Sequence, residues 1–349
     1  MAASNKPLMH FAHIHLNTGI MMTTNQTDFS IIQEMRCVPN LIREFNPQIT
    51  ATWRESINRY KKLLLTGEGS SRIFPARNMM NLALRQGTDW TIVTEGARQS
   101  ASYNLDHFTV IGASNSGQTK ELVHLLSTLN PSQTTRFALT AQAGSAITTL
   151  SDDHIVLSCG TEKAVAATKS VIEQSLIVQS LLNGPEWKHQ EQAADFIQII
   201  LDTPIDYDIL ASVANAACLY FAGAHDGVAE ELTLKSYEIT RKRAVYLEGT
   251  YVLHGVEEVM QEQDALILIE PHRDDLEKIR TIIDKAIGIP VIAFATYDTG
   301  FPTIRIPSLD GFDGYIRLCA GWQLLIAIGL HNGINLDKTA RARKQGNAV

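Results

Sequence analysis

The chain has 349 residues, 45% hydrophobic and 19% charged, with a formal net charge of −7. That balance allows one large or two medium globular domains and argues against nucleic acid as the main partner. No apolar run reaches the length of a membrane span. Four scattered cysteines (Cys37, Cys159, Cys218 and Cys319), with no CxxC pair, point to reduced thiols and a cytoplasmic protein.

Residues 1–28 read as a polar, irregular leader without the series of a secretory signal, and His10, His13 and His15 within it as leader rather than metal site. Strand-like and helix-like segments then alternate, which predicts an α/β architecture with parallel sheets. In the first half the expected strands are Lys62–Thr66, Trp90–Thr94, Phe108–Ala113, Arg136–Thr140 and His154–Ser158. A long amphipathic helix is expected from about Glu162 to Leu182, stopped by Asn183-Gly184-Pro185. In the second half the strands are Cys218–Ala222, Ala244–Leu247, Ala265–Glu270, Pro290–Thr296 and Thr303–Ile306. A last helix follows from about Gly314 to Leu330. These elements suggest one domain over 29–190, a second over 191–335 and a tail over 336–349.

The halves match in detail at an offset of about 155 residues, as a duplicated unit would give. LLLTGEGSS pairs with CLYFAGAHD, FTVIGASNSGQTKE with ALILIEPHRDDLE, and TRFALTAQAGS with IPVIAFATYDTG. The pairs differ where a ligand would sit. Ser114-Asn115-Ser116-Gly117-Gln118-Thr119 places three hydroxyls and a glycine between a strand and a helix start. The first helical turn offers unpaired N–H groups and partial positive charge, and glycine lets backbone approach an anion. No Lys follows Gly117, so a nucleotide P-loop is excluded and a phosphate monoester on a small molecule fits. The second copy reads Glu270-Pro271-His272-Arg273-Asp274-Asp275, whose acids would repel an anion; one phosphate pocket per chain is expected.

The densest titratable groups lie between Glu230 and His254. Glu231, Lys235 and Glu238 are spaced four and three apart, on one face of a helix. An exposed, salt-bridged face reads the same way. Beside a phosphate pocket, however, a carboxylate and a histidine supply what sugar isomerisation needs. The carboxylate takes a proton from the carbon next to a carbonyl, and the histidine moves the ring-oxygen proton. Lys235 could stabilise the enediolate charge.

Together these motifs resemble the tandem sugar isomerase (SIS) domain family, in particular the isomerase half of glucosamine-6-phosphate synthase and its stand-alone relatives, from roughly Ile31 onward. SNSGQTKE is similar to the family's phosphate loop, and Gly67-Glu68-Gly69-Ser70-Ser71 to its first-strand turn. The helix starts are matched by Gly160-Thr161-Glu162-Lys163-Ala164-Val165-Ala166-Ala167-Thr168-Lys169 and by the stretch Glu231 to Thr240, and His254-Gly255 lies at the family's distance beyond. The resemblance implies two tandem SIS domains, each a mostly parallel five-stranded sheet flanked by helices in a flavodoxin-like three-layer sandwich. It implies substrate contacts from Ser70, Ser71, Ser114, Asn115, Ser116, Gly117, Thr119, Val165 and Ala166, and, by ungapped alignment from Asn335-Leu336-Asp337, from Lys344. Glu238 is implied as the base, His254 as the ring-opening group reaching over from the second subunit of a homodimer, and Lys235 and Glu231 as supporting groups. No cofactor or metal is implied. The departures are His254-Gly255-Val256 for the common HGP, Gly223-Ala224-His225-Asp226 for the usual turn, and no glutaminase portion or Cys at position 2. The implied activity is aldose–ketose isomerisation of a hexose 6-phosphate, an amino-sugar phosphate first, with deamination or, as in a simple ketose/aldose phosphate isomerase, without it. A fructosamine-6-phosphate deglycase and a non-catalytic phosphosugar sensor are the alternatives.

Overall fold

The computed structural model describes residues 28–341. Ten strands form two sheets, and every pairing is parallel. The first contains β1 (Lys62–Gly67), β2 (Thr91–Gly96), β3 (Thr109–Ala113), β4 (Thr135–Thr140) and β5 (Asp153–Val156) in the order β2-β1-β3-β4-β5. The second contains β6 (Cys218–Gly223), β7 (Arg243–Glu248), β8 (Ala265–Ile269), β9 (Val291–Ala295) and β10 (Thr303–Arg305), and reads β7-β6-β8-β9-β10 from its other edge. Both sheets thus carry the same topology, as the internal repeat predicted, and all ten expected strands form. Each sheet turns its winding direction between its first and third strands, where parallel folds open a crevice beyond the strand ends.

Helices cover both faces, so the central strands are near-continuous apolar runs rather than alternating ones. Every residue of β3, β6, β8 and β9 is buried. One core runs between the two sheets and includes Phe74, Ile172, Leu232, Tyr315 and Trp322. The Asp313–His331 helix lies almost wholly within it, buried on all sides, as an apolar helix without a polar face requires. Phe74 meets Tyr315 edge-on at 5.4 Å, and the Tyr315 hydroxyl donates to Gln179 at 2.7 Å.

The long helix expected over Glu162–Leu182 is shorter at its start: it spans Lys169–Ser180, and residues 160–168 are irregular. The reason is competition for backbone N–H groups. The carboxylate of Glu162 accepts from Thr168 and Ser170, bonds a helix would have given to the carbonyls four residues back, and that of Glu34 fixes Lys163 and Ala164 ahead of them. Glu34 belongs to a short helix, Ser30–Met35, whose first amide, Ser30, also donates to Asp337 at 2.9 Å.

Candidate active site

The turn after β3 forms as a compact hydroxyl cluster at the N-terminus of the Lys120–Thr128 helix. Ser114 Oγ lies 2.8 Å from Thr119 Oγ1 and 3.5 Å from Ser116 Oγ. The amide of Gly117 donates to Ser114 Oγ at 3.1 Å, and that of Gln118 to Ser116 Oγ at 3.2 Å. Gly117 has φ +64°, and a Cβ there would fall on the side chain of Ser145, so only glycine fits. The Asn115 amide nitrogen and the Ser145 hydroxyl are buried with no protein partner. Buried donors of this kind ordinarily find an acceptor. Donors without a fixed cation, at a helix start, suit a phosphate monoester.

The turn after β1 brings the two halves together. Ser70 and Ser71 sit in the short helical turn Gly69–Ser71; Ser70 is buried and Ser71 half-buried. The Lys235 ammonium donates to Ser70 Oγ at 2.7 Å and to Glu238 Oε2 at 2.8 Å, and lies 3.5 Å from Glu231 Oε1. Lys235 and Glu231 have side chains 1% and 0% exposed, whereas Glu238 remains 30% exposed and open to a ligand. Burial works to depress the Lys235 ammonium, but the charges of Glu238 and Glu231 outweigh it and hold the group above its ordinary 10.5. Burial pushes the Glu231 carboxyl up, with the Lys235 charge opposing. The ammonium is the shared counterion of two carboxylates.

Sequence spacing puts these three groups on one helical face, but the helix changes type beneath them. It is α-helical over Val228–Lys235 and π-helical over Ser236–Thr240. A π turn inserts extra backbone and re-aims a side chain, and such turns concentrate at functional sites. Arg241, at φ +57°, ends it and donates to the carbonyls of Asn335 and Lys338.

Val165 is half-buried and Ala166 buried, in the irregular stretch before the Lys169–Ser180 helix. His254 stands apart. It is exposed, follows the Tyr251–Leu253 turn after β7, and shares no hydrogen bond, ion pair or ring contact with Glu238 among the described residues. Lys344 and the three leader histidines lie outside the described residues. Spacing gave no hint of Ser145, which packs against Gly117 from a distant segment.

The corresponding turns of the second sheet are closed on themselves. Glu270 accepts from the amide and hydroxyl of Thr296 at 3.0 and 2.6 Å. Asp226 accepts from Val228 N at 3.1 Å and Arg317 at 3.2 Å. Burial raises the Asp226 carboxyl, with Arg317 opposing.

No protein-family model matches the chain. Over 239 residues it is 27% identical to the glutamine–fructose-6-phosphate aminotransferase (isomerizing) of Methanocaldococcus jannaschii, which covers 63% of this chain but only 22% of that protein's length. Among solved structures, it is similar to tagatose-6-phosphate ketose/aldose isomerase from Escherichia coli, with TM-score 0.76, 19% identity, and coverage of 93% and 98% of the two chains. It is also similar to the C-terminal domain of glucosamine-fructose-6-phosphate aminotransferase from Francisella tularensis, with TM-score 0.73, 15% identity, and coverage of 91% and 100%. A third is glucosamine-6-phosphate deaminase from Thermotoga maritima, with TM-score 0.71, 17% identity, and coverage of 90% and 98%. These likenesses show the fold: two parallel five-stranded sheets flanked by helices, matching the tandem architecture of those structures that the motifs implied. No helix of the described residues is long and apolar enough to cross a membrane.

Proposed function

We propose that the chain is a phosphosugar isomerase-type enzyme acting on a hexose 6-phosphate, with an amino-sugar 6-phosphate as its substrate. One observation carries this reading: a buried ammonium bonded at once to Ser70, beside the anion-receiving turn, and to the half-exposed Glu238. The phosphate is held by Ser114, Ser116, Thr119 and the Asn115 amide, with Ser71 alongside. Glu238 removes the proton from C2 while the C1 carbonyl becomes an enol, and returns it to C1 as the carbonyl reforms at C2. The exchange is redox-neutral. With an amino group at C2 the same shift leaves an imine, which water hydrolyses to the ketose and ammonia. Lys235 stabilises the negative charge that develops, and Glu231 keeps Lys235 charged and fixed. His254, exposed on its own chain, is the ring-opening group for a second copy in a homodimer. Similar proteins named for glucosamine 6-phosphate and for fructose 6-phosphate support the substrate class.

The test is a coupled assay for ammonia and fructose 6-phosphate from glucosamine 6-phosphate. Wild type should release both in equal amounts. Glu238→Gln should lower turnover about 10³-fold with phosphosugar affinity kept, the range expected for losing a general base. Fructose 6-phosphate isomerised without ammonia release would leave the isomerase and remove the deaminase. Binding without turnover of any hexose 6-phosphate, in wild type as in Glu238→Gln, would overturn the enzyme reading in favour of a phosphosugar sensor.

A further inference from the structure

The π turn over Ser236–Thr240 carries Glu238, yet its own residues give no reason for it to leave α geometry. Such turns are rare, so the cause lies in what packs against this one. Two contacts do so, both from residues 329–338. One lies underneath. Gly329, in the Asp313–His331 helix, touches the turn directly: a Cβ there would fall 3.0 Å from the Ile239 carbonyl oxygen and 3.0 Å from Leu336 Cδ2. Ile239 is 2% exposed and Leu336 7%, so neither has free space to retreat into.

The other contact is at the turn's end. Arg241 leaves the helix at φ +57°, a left-handed conformation that residues with a Cβ seldom take. Its guanidinium donates to the carbonyls of Lys338 at 2.8 Å and Asn335 at 3.3 Å, one planar cation spanning two acceptors. Those acceptors are themselves fixed. Ile334 N donates to the Gly329 carbonyl at 2.9 Å, and Asp337 accepts from Ser30 N at 2.9 Å. Glu238 lies one residue before Ile239 and three before Arg241. Both contacts therefore act on the peptide units that aim its carboxylate at Lys235, 2.8 Å away.

We propose that Gly329 and Arg241 are positioning residues that seat the π turn, and that this seat sets the aim of Glu238 at the substrate carbon. The inference rests on the isomerase reading above. Neither residue touches the ligand or the reacting atoms. Gly329 leaves room for the Ile239 carbonyl, and Arg241 anchors the turn to residues 335–338. Misplacing a catalytic group by about 1 Å costs up to about a hundredfold in rate. The phosphate turn belongs to the other copy and keeps its geometry, so the effect falls on kcat and not on KM.

The experiment compares wild type with Arg241→Gly, Arg241→Lys, Gly329→Ala and Asn332→Ala. Arg241→Gly removes the guanidinium but keeps the left-handed backbone, which glycine takes freely, so the fold is retained. Arg241→Lys offers a single ammonium to the same carbonyls. Gly329→Ala raises helical propensity, but its methyl presses on the Ile239 carbonyl. Asn332→Ala is the control: the Asn332 amide ties the end of the same helix to the Ala214 carbonyl at 2.9 Å and makes no bond to the turn. Two quantities are read. The first is kcat and KM on glucosamine 6-phosphate, or on fructose 6-phosphate if only that is turned over. The second is amide hydrogen exchange at residues 237–241. For Arg241→Gly and Gly329→Ala we expect kcat about tenfold lower, KM within about twofold, and exchange about tenfold faster confined to that stretch. Arg241→Lys should recover part of the loss in kcat. Asn332→Ala should lower the melting temperature and leave kcat unchanged. An unchanged kcat in Arg241→Gly, or an equal fall in Asn332→Ala, overturns the seat. A wild type that turns over neither sugar phosphate overturns the isomerase reading instead. Exchange at 237–241 then decides the seat by itself, and an unchanged rate in Arg241→Gly overturns it.

Discussion

The turns after β3 and β8 occupy the same place in two copies of one topology, yet they treat their polar groups in opposite ways. Ser114, Ser116 and Thr119 bond mainly to one another and to their own amides, and leave the Asn115 amide nitrogen without a partner. Glu270 is tied to Thr296 and faces Arg317, and in the turn after β6 Asp226 is tied to Val228 and Arg317. Hydroxyls that bond to each other and to amides of their own turn can exchange those bonds for an anion at small cost. Carboxylates already bonded to amides and a guanidinium have nothing to offer one. Duplication supplied two crevices, and local chemistry made one a receptor and the other a strut. The helix after β6 in the same copy carries Lys235, which reaches back to Ser70 in the first copy.

That bridge is where the comparison breaks hardest. Lys235→Met removes the shared cation and strands the buried Glu231 carboxyl. The expected loss is about 3–5 kcal/mol in urea unfolding, the usual cost of leaving one partner of a buried pair alone. The deficit should depend on pH with a definite sign. Burial raises the Glu231 carboxyl above its ordinary 4.5, and losing the ammonium raises it further. The folded state then holds that proton more tightly than the unfolded chain. Stability is therefore fullest below about pH 4.5 and falls as pH rises through the folded value. Melting temperatures of variant and wild type should converge toward acid and separate toward neutrality; a constant gap would show that Glu231 is not the stranded charge. In wild type the Lys235 ammonium, raised above 10.5, keeps its contribution until the pH passes that value.

The receptor side should fail more gently. Gly117→Ala must accept φ +64° and push Ser145 aside. Strain of about 2–3 kcal/mol is expected, read as roughly a 30- to 150-fold loss of phosphate affinity by calorimetry. Ser116→Ala removes one hydroxyl and should cost about tenfold in the same measurement. The paired change Asp274→Asn with Asp275→Asn should alter phosphate affinity by less than about twofold, because the strut receives no ligand at any charge. A new phosphate stoichiometry in that variant would show that repulsion alone had closed the second crevice.

The alternation of Leu63-Leu64-Leu65, Val110-Ile111 and Leu266-Ile267-Leu268 with helical stretches made both sheets legible, since strands buried on two faces must be apolar throughout. The hydroxyl turn was legible because its residues are contiguous. The Glu231, Lys235 and Glu238 set was legible as a spacing, but the π turn under Glu238 was not, because Ser236 to Thr240 carry no signal against an α-helix. The late start of the Lys169–Ser180 helix was hidden for a different reason. Ala164-Val165-Ala166-Ala167 has ample helical propensity, and only the carboxylates of Glu162 and the distant Glu34 overrule it.

The helix Ser30–Met35 has a consequence for how the chain is made. It bonds through Glu34 to Lys163 and Ala164, and through Ser30 to Asp337, 307 residues away. A ribosome emits this helix 307 residues before its partner Asp337. The contacts that dock it are among the most distant the molecule possesses, and such contacts close late. Its apolar face, Ile31, Ile32 and Met35, is thus buried by contacts that span much of the described sequence, and its docking belongs to the late, non-local part of folding.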